Sequence, residues 1–248
     1  MPSPRIAYQL YSARASSALD FEAVLGAVGE IGYDGVELAG LHGHPVETVR
    51  GWLDAAGLVA CGAHTSVARL TEDAAGVVAE AAALGTDRVI LASIPAPSTG
   101  AEADAATASI RELGAAVSAA GGRFAFHNHA VELTAFDGSS ILDRLLTDPP
   151  VELELDLGWA WIAEVDPLAM LQLAAPGVPL VHVKDYLRHD SDACCPIGDG
   201  VIDWASLLPA AAAVEGVEWL VVEQDENNGD ELGEAGRSAA AMRRFLAG

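Results

Sequence analysis

Apolar residues fall into short, β-branched runs separated by longer Ala- and Leu-rich stretches with helical spacing, and this alternation continues along the whole chain. The runs predict strands over residues 5–10, 35–39, 58–64, 88–93, 123–128, 151–156, 179–184 and 219–223. Helices are predicted over 20–31, 45–56, 71–84, 101–120, 139–146, 167–174, 202–214 and 232–246. The punctuation agrees with this reading. Asp20 is suited to cap the first helix, and Pro45 to the first position of the second. Gly57, Gly85 and the pair Gly121-Gly122 follow helix ends, and Asp148-Pro149-Pro150 stops another.

Eight strands alternating with eight helices, with strand starts roughly every 23 to 40 residues, are β/α units of ordinary length. The count predicts an α/β fold, a closed (β/α)8 TIM barrel occupying residues 1–248 as a single domain. The rival is a doubly wound open sheet. It would need a nucleotide fingerprint at an early strand end, and neither GxGxxG nor a P-loop occurs there.

Composition narrows the function. With 51% hydrophobic and 20% charged residues, 248 residues can bury a sizeable core, which excludes a disordered chain. The 36 acidic residues outweigh 13 basic ones, for a formal charge of −23. Such a surface repels phosphate backbones and anionic lipid and concentrates cations, so neither nucleic acid nor membrane is an expected partner. Cys61, Cys194 and Cys195 cannot build a disulfide framework, which fits a reducing compartment. The N-terminus lacks a secretory pattern, and no apolar stretch is long enough to span a bilayer. A cytoplasmic protein is expected, with a homo-oligomer left open.

Active sites of such barrels lie at the C-terminal ends of the strands. Polar residues collect there: Gln9, Glu37, His64, the triplet His127-Asn128-His129 with Glu132 beyond it, Asp156, His182, Lys184-Asp185, and Glu223 with Asp225. Strand residues two apart share a face. His127 and His129 therefore point together, as do His182 and Lys184, or Glu223 and Asp225. Glu152, Glu154 and Asp156 also share a face, and burying three acids is costly unless they are paired or metal-bound.

Asp156, His182 and Glu223 form a mixed nitrogen and oxygen set that suits one divalent ion, Mn, Mg, Co, Zn or Fe. Position alone makes His127 or His129 the natural fourth ligand. Lys184, the chain's single lysine, is read either as a catalytic or substrate-contacting group or as an ion-pair partner of Glu154 or Asp185. Trp159 and Trp161 offer flat faces of the kind sugars lie against, or loop packing over the rim. The glycines of Pro196–Gly200 are suited to a turn covering the site. His42 and His44 have metal-pair spacing but no third ligand nearby in the sequence.

The segments YQLYSAR, GYDGVELAG, FHNHAVEL, ELDLGW, HVKDY, PIGDGVIDW and VVEQDE resemble, in order and across nearly the whole chain, the sugar phosphate isomerase/epimerase group of the xylose isomerase-like barrels. The resemblance implies a TIM barrel that binds one divalent metal. By it, Asp156, His182 and Glu223 are the second, third and fourth ligands, and Glu132, the glutamate of the HNHxxE segment, is the first. It also implies that Glu132 and Glu223 act as acid and base. The group's DNA-repair branch needs additional metal-binding histidines, and here the fourth strand ends in Ser93.

The expected activity is isomerisation or epimerisation of a small sugar or keto-sugar. The metal would polarise a carbonyl and hydroxyl while the carboxylates move a proton. Lys184 or His64 would stabilise the enolate or shuttle a second proton. Gln9, Glu37, His129 and Asp225 would hold hydroxyls, with His127, Asp185 and Trp159 as further pocket residues. The alternatives are a metal-dependent dehydratase or lyase of a keto-sugar or polyol, which gains ground if Glu132 is not a ligand, and a non-catalytic sugar-binding barrel.

Overall fold

Hydrogen bonding runs without a break around a ring of eight parallel strands. The structure, a computed structural model, describes residues 3–147 and 151–247. In chain order the ring strands are β1 (Arg5–Gln9), β2 (Gly35–Leu38), β3 (Val59–Thr65), β4 (Arg88–Leu91), β5 (Arg123–His127), β6 (Glu152–Asp156) and β7 (Leu180–Val183), closed by β10 (Trp219–Val222). β1 pairs with β2 on one side and with β10 on the other, so the sheet has no edge. Two short strands, β8 (Asp185–Tyr186) and β9 (Cys194–Cys195), form an antiparallel hairpin just past β7. The expected barrel is therefore the observed fold.

The helices α1 (Arg14–Leu19), α2 (Phe21–Ile31), α3 (Val46–Ala56), α4 (Val67–Leu84), α5 (Gly100–Ala119), α6 (Ile141–Leu145), α7 (Leu157–Ile162), α8 (Pro167–Ala174), α9 (Trp204–Ala212) and α10 (Glu231–Ala247) intervene between ring strands or follow the last. None among the described residues is long and apolar enough to cross a membrane. Caps act largely where the sequence places them. Asp20 accepts from the Ala23 N–H, and Gly57 and Gly85 end α3 and α4 in the left-handed conformation. Pro45 is the N-cap of α3 rather than its first residue. α4 starts four residues earlier than its apolar pattern, because Ser66 caps it, and it bends at Asp73. Asp148-Pro149-Pro150 lies outside the described residues. The elements not foreseen are α1, α7, the β8–β9 hairpin and the short 3-10 turns at Leu10–Ala13 and Val131–Leu133.

Strand parity divides the apolar residues into two cores. One face of each strand packs against the helices, with Val36, Leu91, Phe126, Leu155, Val183 and Leu220 among its members. The other face points into the barrel, where Ala7, Cys61, Ile90, Ala125, Leu180, Trp219 and Val221 form a separate cluster. Trp219 is the bulk of this floor, and its indole lies so close over Gly35 that a Cβ there would sit 3.0 Å from the ring. Two residues further along each of five strands, Ala7, Gly35, Ala125, Leu180 and Val221 give way to Gln9, Glu37, His127, His182 and Glu223. All five of these polar residues are buried. The barrel thus changes from apolar to ionisable over a single step of the pleat.

Candidate metal and substrate site

Above the floor, His127 (β5), Asp156 (β6), His182 (β7) and Glu223 (just past β10) each turn one ligand atom inward, all four within 4.8 Å of one another. Register explains part of this: Asp156 is paired with His182 across the β6–β7 ladder. Asn128, on the outward face, fixes the level by accepting the Asp156 N–H through Oδ1 at 2.9 Å. Asp156 Oδ1 accepts the Trp159 N–H at 2.8 Å and so caps α7, while Oδ2 remains buried without a hydrogen bond. Asp156 thus caps a helix through one oxygen and leaves the other facing the candidate cation group.

Lys184 faces the same oxygens. Its Nζ lies 3.1 Å from Asp156 Oδ2, 2.9 Å from Glu223 Oε2 and 2.8 Å from Asp225 Oδ2. The expected partners Glu154 and Asp185 are not among these three. Lys184 continues past β7 on the inward face, two steps of the pleat above Glu154, so it meets the upper acids instead. Glu154 meets histidines: its Oε1 lies 2.8 Å from His64 Nε2 and 3.0 Å from both His127 Nδ1 and His182 Nε2. His182 stands between two levels. Nδ1 is 2.8 Å from Glu223 Oε2, and Nε2 is 2.8 Å from Glu37 Oε2.

The electrostatics follow from burial opposed by these pairs. Burial pushes the His182 ring toward neutrality, but Glu154, Glu37 and Glu223 outweigh it and hold its pKa well above the ordinary value. His64 is raised in the same way, to about 10, by Glu37 and Glu154 against its burial. His127 goes the other way, because burial and then the neighbouring His182, His64 and Lys184 all disfavour its charge. His129 falls to about 4 through burial and Lys184. Burial lifts Asp156 to about 6 despite Lys184 and His182. Glu223 is lowered, since Lys184 and His182 overcome its burial. Two carboxylates and two imidazoles, one carboxylate oxygen lacking any hydrogen bond, are a donor set that fits a divalent cation. His127, Asp156, His182 and Glu223 would hold it.

A cavity of about 270 Å3 opens over this group, lined by Tyr11, His64, Ala92, Ser93, His127, His129, Glu223 and Asp225. That is near the lower end of ordinary small-ligand pockets, roughly 300–1,000 Å3. The expected pocket residues His64, His127, His129 and Asp225 are thus brought together. Trp159 stands beside them, its ring 5.2 Å from Lys184 Nζ and 5.4 Å from the His129 ring, with its indole N–H unused.

Other residues expected at the site are placed differently. Glu132 is not in the cation group. Its Oε2 accepts the His129 N–H at 2.8 Å, because the short turn Val131–Leu133 folds it back on the backbone, and burial raises its pKa. Gln9 and Glu37 lie below the cavity wall, with Gln9 Nε2 donating to Glu37 Oε2. Asp185 is committed to a loop. Its two oxygens accept the N–H groups of Tyr186, Gly198, Gly200 and Ile202, and a Cβ on Gly200 would clash with Oδ1 at 2.2 Å. The turn at Pro196–Gly200 is thereby tied to the β8–β9 hairpin, and Gly198 packs near Phe245 of α10. Trp161 stacks on Tyr186 at 6.0 Å and meets His189, away from the cavity. His42 and His44 pack on Phe21. Tyr11 was not foreseen as a wall residue; its place directly after Leu10, where the chain leaves the barrel, was the available signal.

The family model for the xylose isomerase-like TIM barrel matches residues 25–245. The chain belongs to that family. A sugar phosphate isomerase/epimerase from Parabacteroides distasonis has a similar structure, with TM-score 0.83, 20% identity, and coverage of 98% of this chain and 99% of that one. An L-ribulose 3-epimerase aligns with TM-score 0.75 and 20% identity over 98% of this chain and 95% of that one. The probable 3-DHS dehydratase of petrobactin synthesis from Bacillus anthracis aligns at 0.74 and 13% identity, over 96% of this chain and 97% of that one. No curated protein matches the chain by sequence.

Proposed function

We propose that this xylose isomerase-like barrel is a divalent-metal-dependent isomerase or epimerase of a small sugar or keto-sugar. The observation that carries the reading is that Glu223 belongs both to the cation group and to the cavity wall. A bound divalent ion would supply Lewis-acid polarisation of a carbonyl and its neighbouring hydroxyl. Glu223, kept anionic by Lys184 and His182, is the base that reaches into the cavity toward the proton beside the carbonyl. Lys184 keeps its charge because Asp156, Glu223 and Asp225 surround it, so its ammonium can stabilise negative charge developing on a substrate oxygen. His64, charged at neutral pH and lining the cavity, is the group placed to return a proton. His129 stays neutral and offers a hydroxyl a hydrogen-bond partner, while the Trp159 face gives the ring's apolar side a surface. The neighbouring ribulose epimerase and isomerase/epimerase folds support this choice of substrate class.

A dehydratase or lyase is the second reading, and one observation favours it. Glu132 lies outside the cation group, so a relay between two glutamates lacks one member there, whereas elimination needs one base at the carbon beside the carbonyl. The test is to load the purified protein with Mn2+ and offer ketoses in D2O. Deuterium appearing beside the carbonyl, with interconversion of sugars, is expected; loss of water would select the second reading. No exchange into any ketose, together with unchanged Mn2+ affinity in Asp156→Asn and His182→Ala, would overturn both.

A further inference from the structure

Three imidazole nitrogens converge on one oxygen. Glu154 Oε1 has His64 Nε2 at 2.8 Å, His127 Nδ1 at 3.0 Å and His182 Nε2 at 3.0 Å, while its twin Oε2 is buried and takes no N–H donor, and the Glu37 carboxyl lies beside the Glu154 carboxyl. Only the His64 contact of the three has hydrogen-bond geometry, and His127 Nδ1 is itself buried and unpartnered. A hydrogen-bond network would spread its donors over both carboxylate oxygens, each with its own lone pairs. This arrangement crowds one oxygen with imidazole nitrogens and gives the other no N–H donor.

We propose that the barrel holds a second cation position, one pleat below the first, formed by His64, His127, Glu154 and His182. The four offer ligand atoms within 4.8 Å of one another, and all but the slightly exposed His64 are fully buried. Around a tetrahedral zinc ion with bonds of about 2.0–2.1 Å the ligand atoms stand about 3.3 Å apart; the 2.8–3.0 Å nitrogen–oxygen contacts lie a few tenths short of that, and the imidazole nitrogens lie within 4.8 Å of one another. Glu37 Oε2, 3.1 Å from His64 Nε2 and 2.8 Å from His182 Nε2, adds a second negative charge at the edge of the group. His182 makes the two levels neighbours, because Nδ1 faces Glu223 above and Nε2 faces Glu154 below. The ligand chemistry also separates them. Three imidazoles and one carboxylate select borderline ions such as Zn2+, Co2+ or Ni2+ and reject Mg2+, whereas the upper group, with two carboxylates, takes harder ions as well.

The deeper position shares His127 and His182 with the upper group and would occupy the His64 nitrogen proposed to return a proton, so an ion there competes with the proposed reaction, and the test starts by removing the upper carboxylates. Chelator-stripped Asp156→Asn/Glu223→Gln protein is titrated with Co2+ alone and followed by its visible absorption. One equivalent is expected, with the intense bands of a tetrahedral nitrogen-rich site, undisturbed by millimolar Mg2+. Adding His64→Gln or Glu154→Gln should weaken uptake at least tenfold. The two changes are close in shape to the native side chains, and if one fails to fold, as judged by circular dichroism, the other decides. No Co2+ uptake by the double variant, or uptake insensitive to both deeper changes, would overturn the position. If wild type and the double variant bind equally while His64→Gln loses the ion, the deeper position stands and the metal-assisted reaction proposed above falls.

Discussion

The lower and upper halves of the barrel interior share one backbone plan and differ in what they are made of. Below, seven apolar or small residues, with Trp219 at the centre, seal the cylinder. Above, Glu37, Glu154, Asp156 and Glu223 face His64, His127, His182 and Lys184 with almost no water access. The lower half is held by removal of apolar area from water, at roughly 25 cal/mol per Å2. The upper half gains little net stability from its pairs, because taking each charge out of water costs several kcal/mol. What the pairs supply is position. Each of these groups except His127 is held by a neighbour of opposite charge or by the backbone, so the upper half is preorganised while the floor carries the load.

That contrast can be broken. The largest effect should come from Trp219→Ala, which opens the floor and should cost about 3–5 kcal/mol in urea unfolding, while the folded fraction binds metal as before. Glu223→Gln tests the other half. Deuterium exchange into a ketose should drop by about 10^2- to 10^4-fold in protein shown to be folded by circular dichroism, whereas the folded fraction of Trp219→Ala should keep its exchange rate; comparable rate losses in the two folded variants would refute the division. A third measurement uses pH. The His64 pKa is raised from 6.5 to about 10 on folding, so its stabilising contribution is complete below pH 6.5 and is lost as pH rises through about 10. In chelator-treated protein, the stability gap between wild type and His64→Gln should therefore narrow as pH is raised from 7 to 10. The smallest change is expected from His44→Ala, which touches only the surface cluster with Phe21 and Trp52 and should shift stability by less than about 1 kcal/mol without altering metal uptake.

Much of this plan was legible in the residues. Period-two alternation separated inward from outward positions, and helix caps and glycines gave most boundaries to within a few residues. Alternation assigns a face but not an opposite number across the ring. It could place Glu154 and Lys184 inside, yet not show that Lys184 rises past Glu154 to meet Asp156, Glu223 and Asp225. The position of Glu132 was hidden for a related reason. It lies beyond β5 in a turn with no period of its own, and a backbone N–H took its carboxylate. Asp185 looked like a site acid because its four backbone partners come from residues up to seventeen positions away. Helix α7 escaped notice because Gly158 interrupts its propensity and because its cap is an acid assigned to chemistry.

The divided duty of Asp156 has a practical outcome for anyone probing this protein by mutation. Because Oδ1 caps the helix that carries Trp159, truncating the side chain to alanine would unfasten the aromatic wall along with the ligand, and the measured defect would blend two injuries. Asparagine, which can keep the cap through its amide oxygen, separates them. Any gap between the alanine and asparagine phenotypes then measures how firmly the tryptophan is moored.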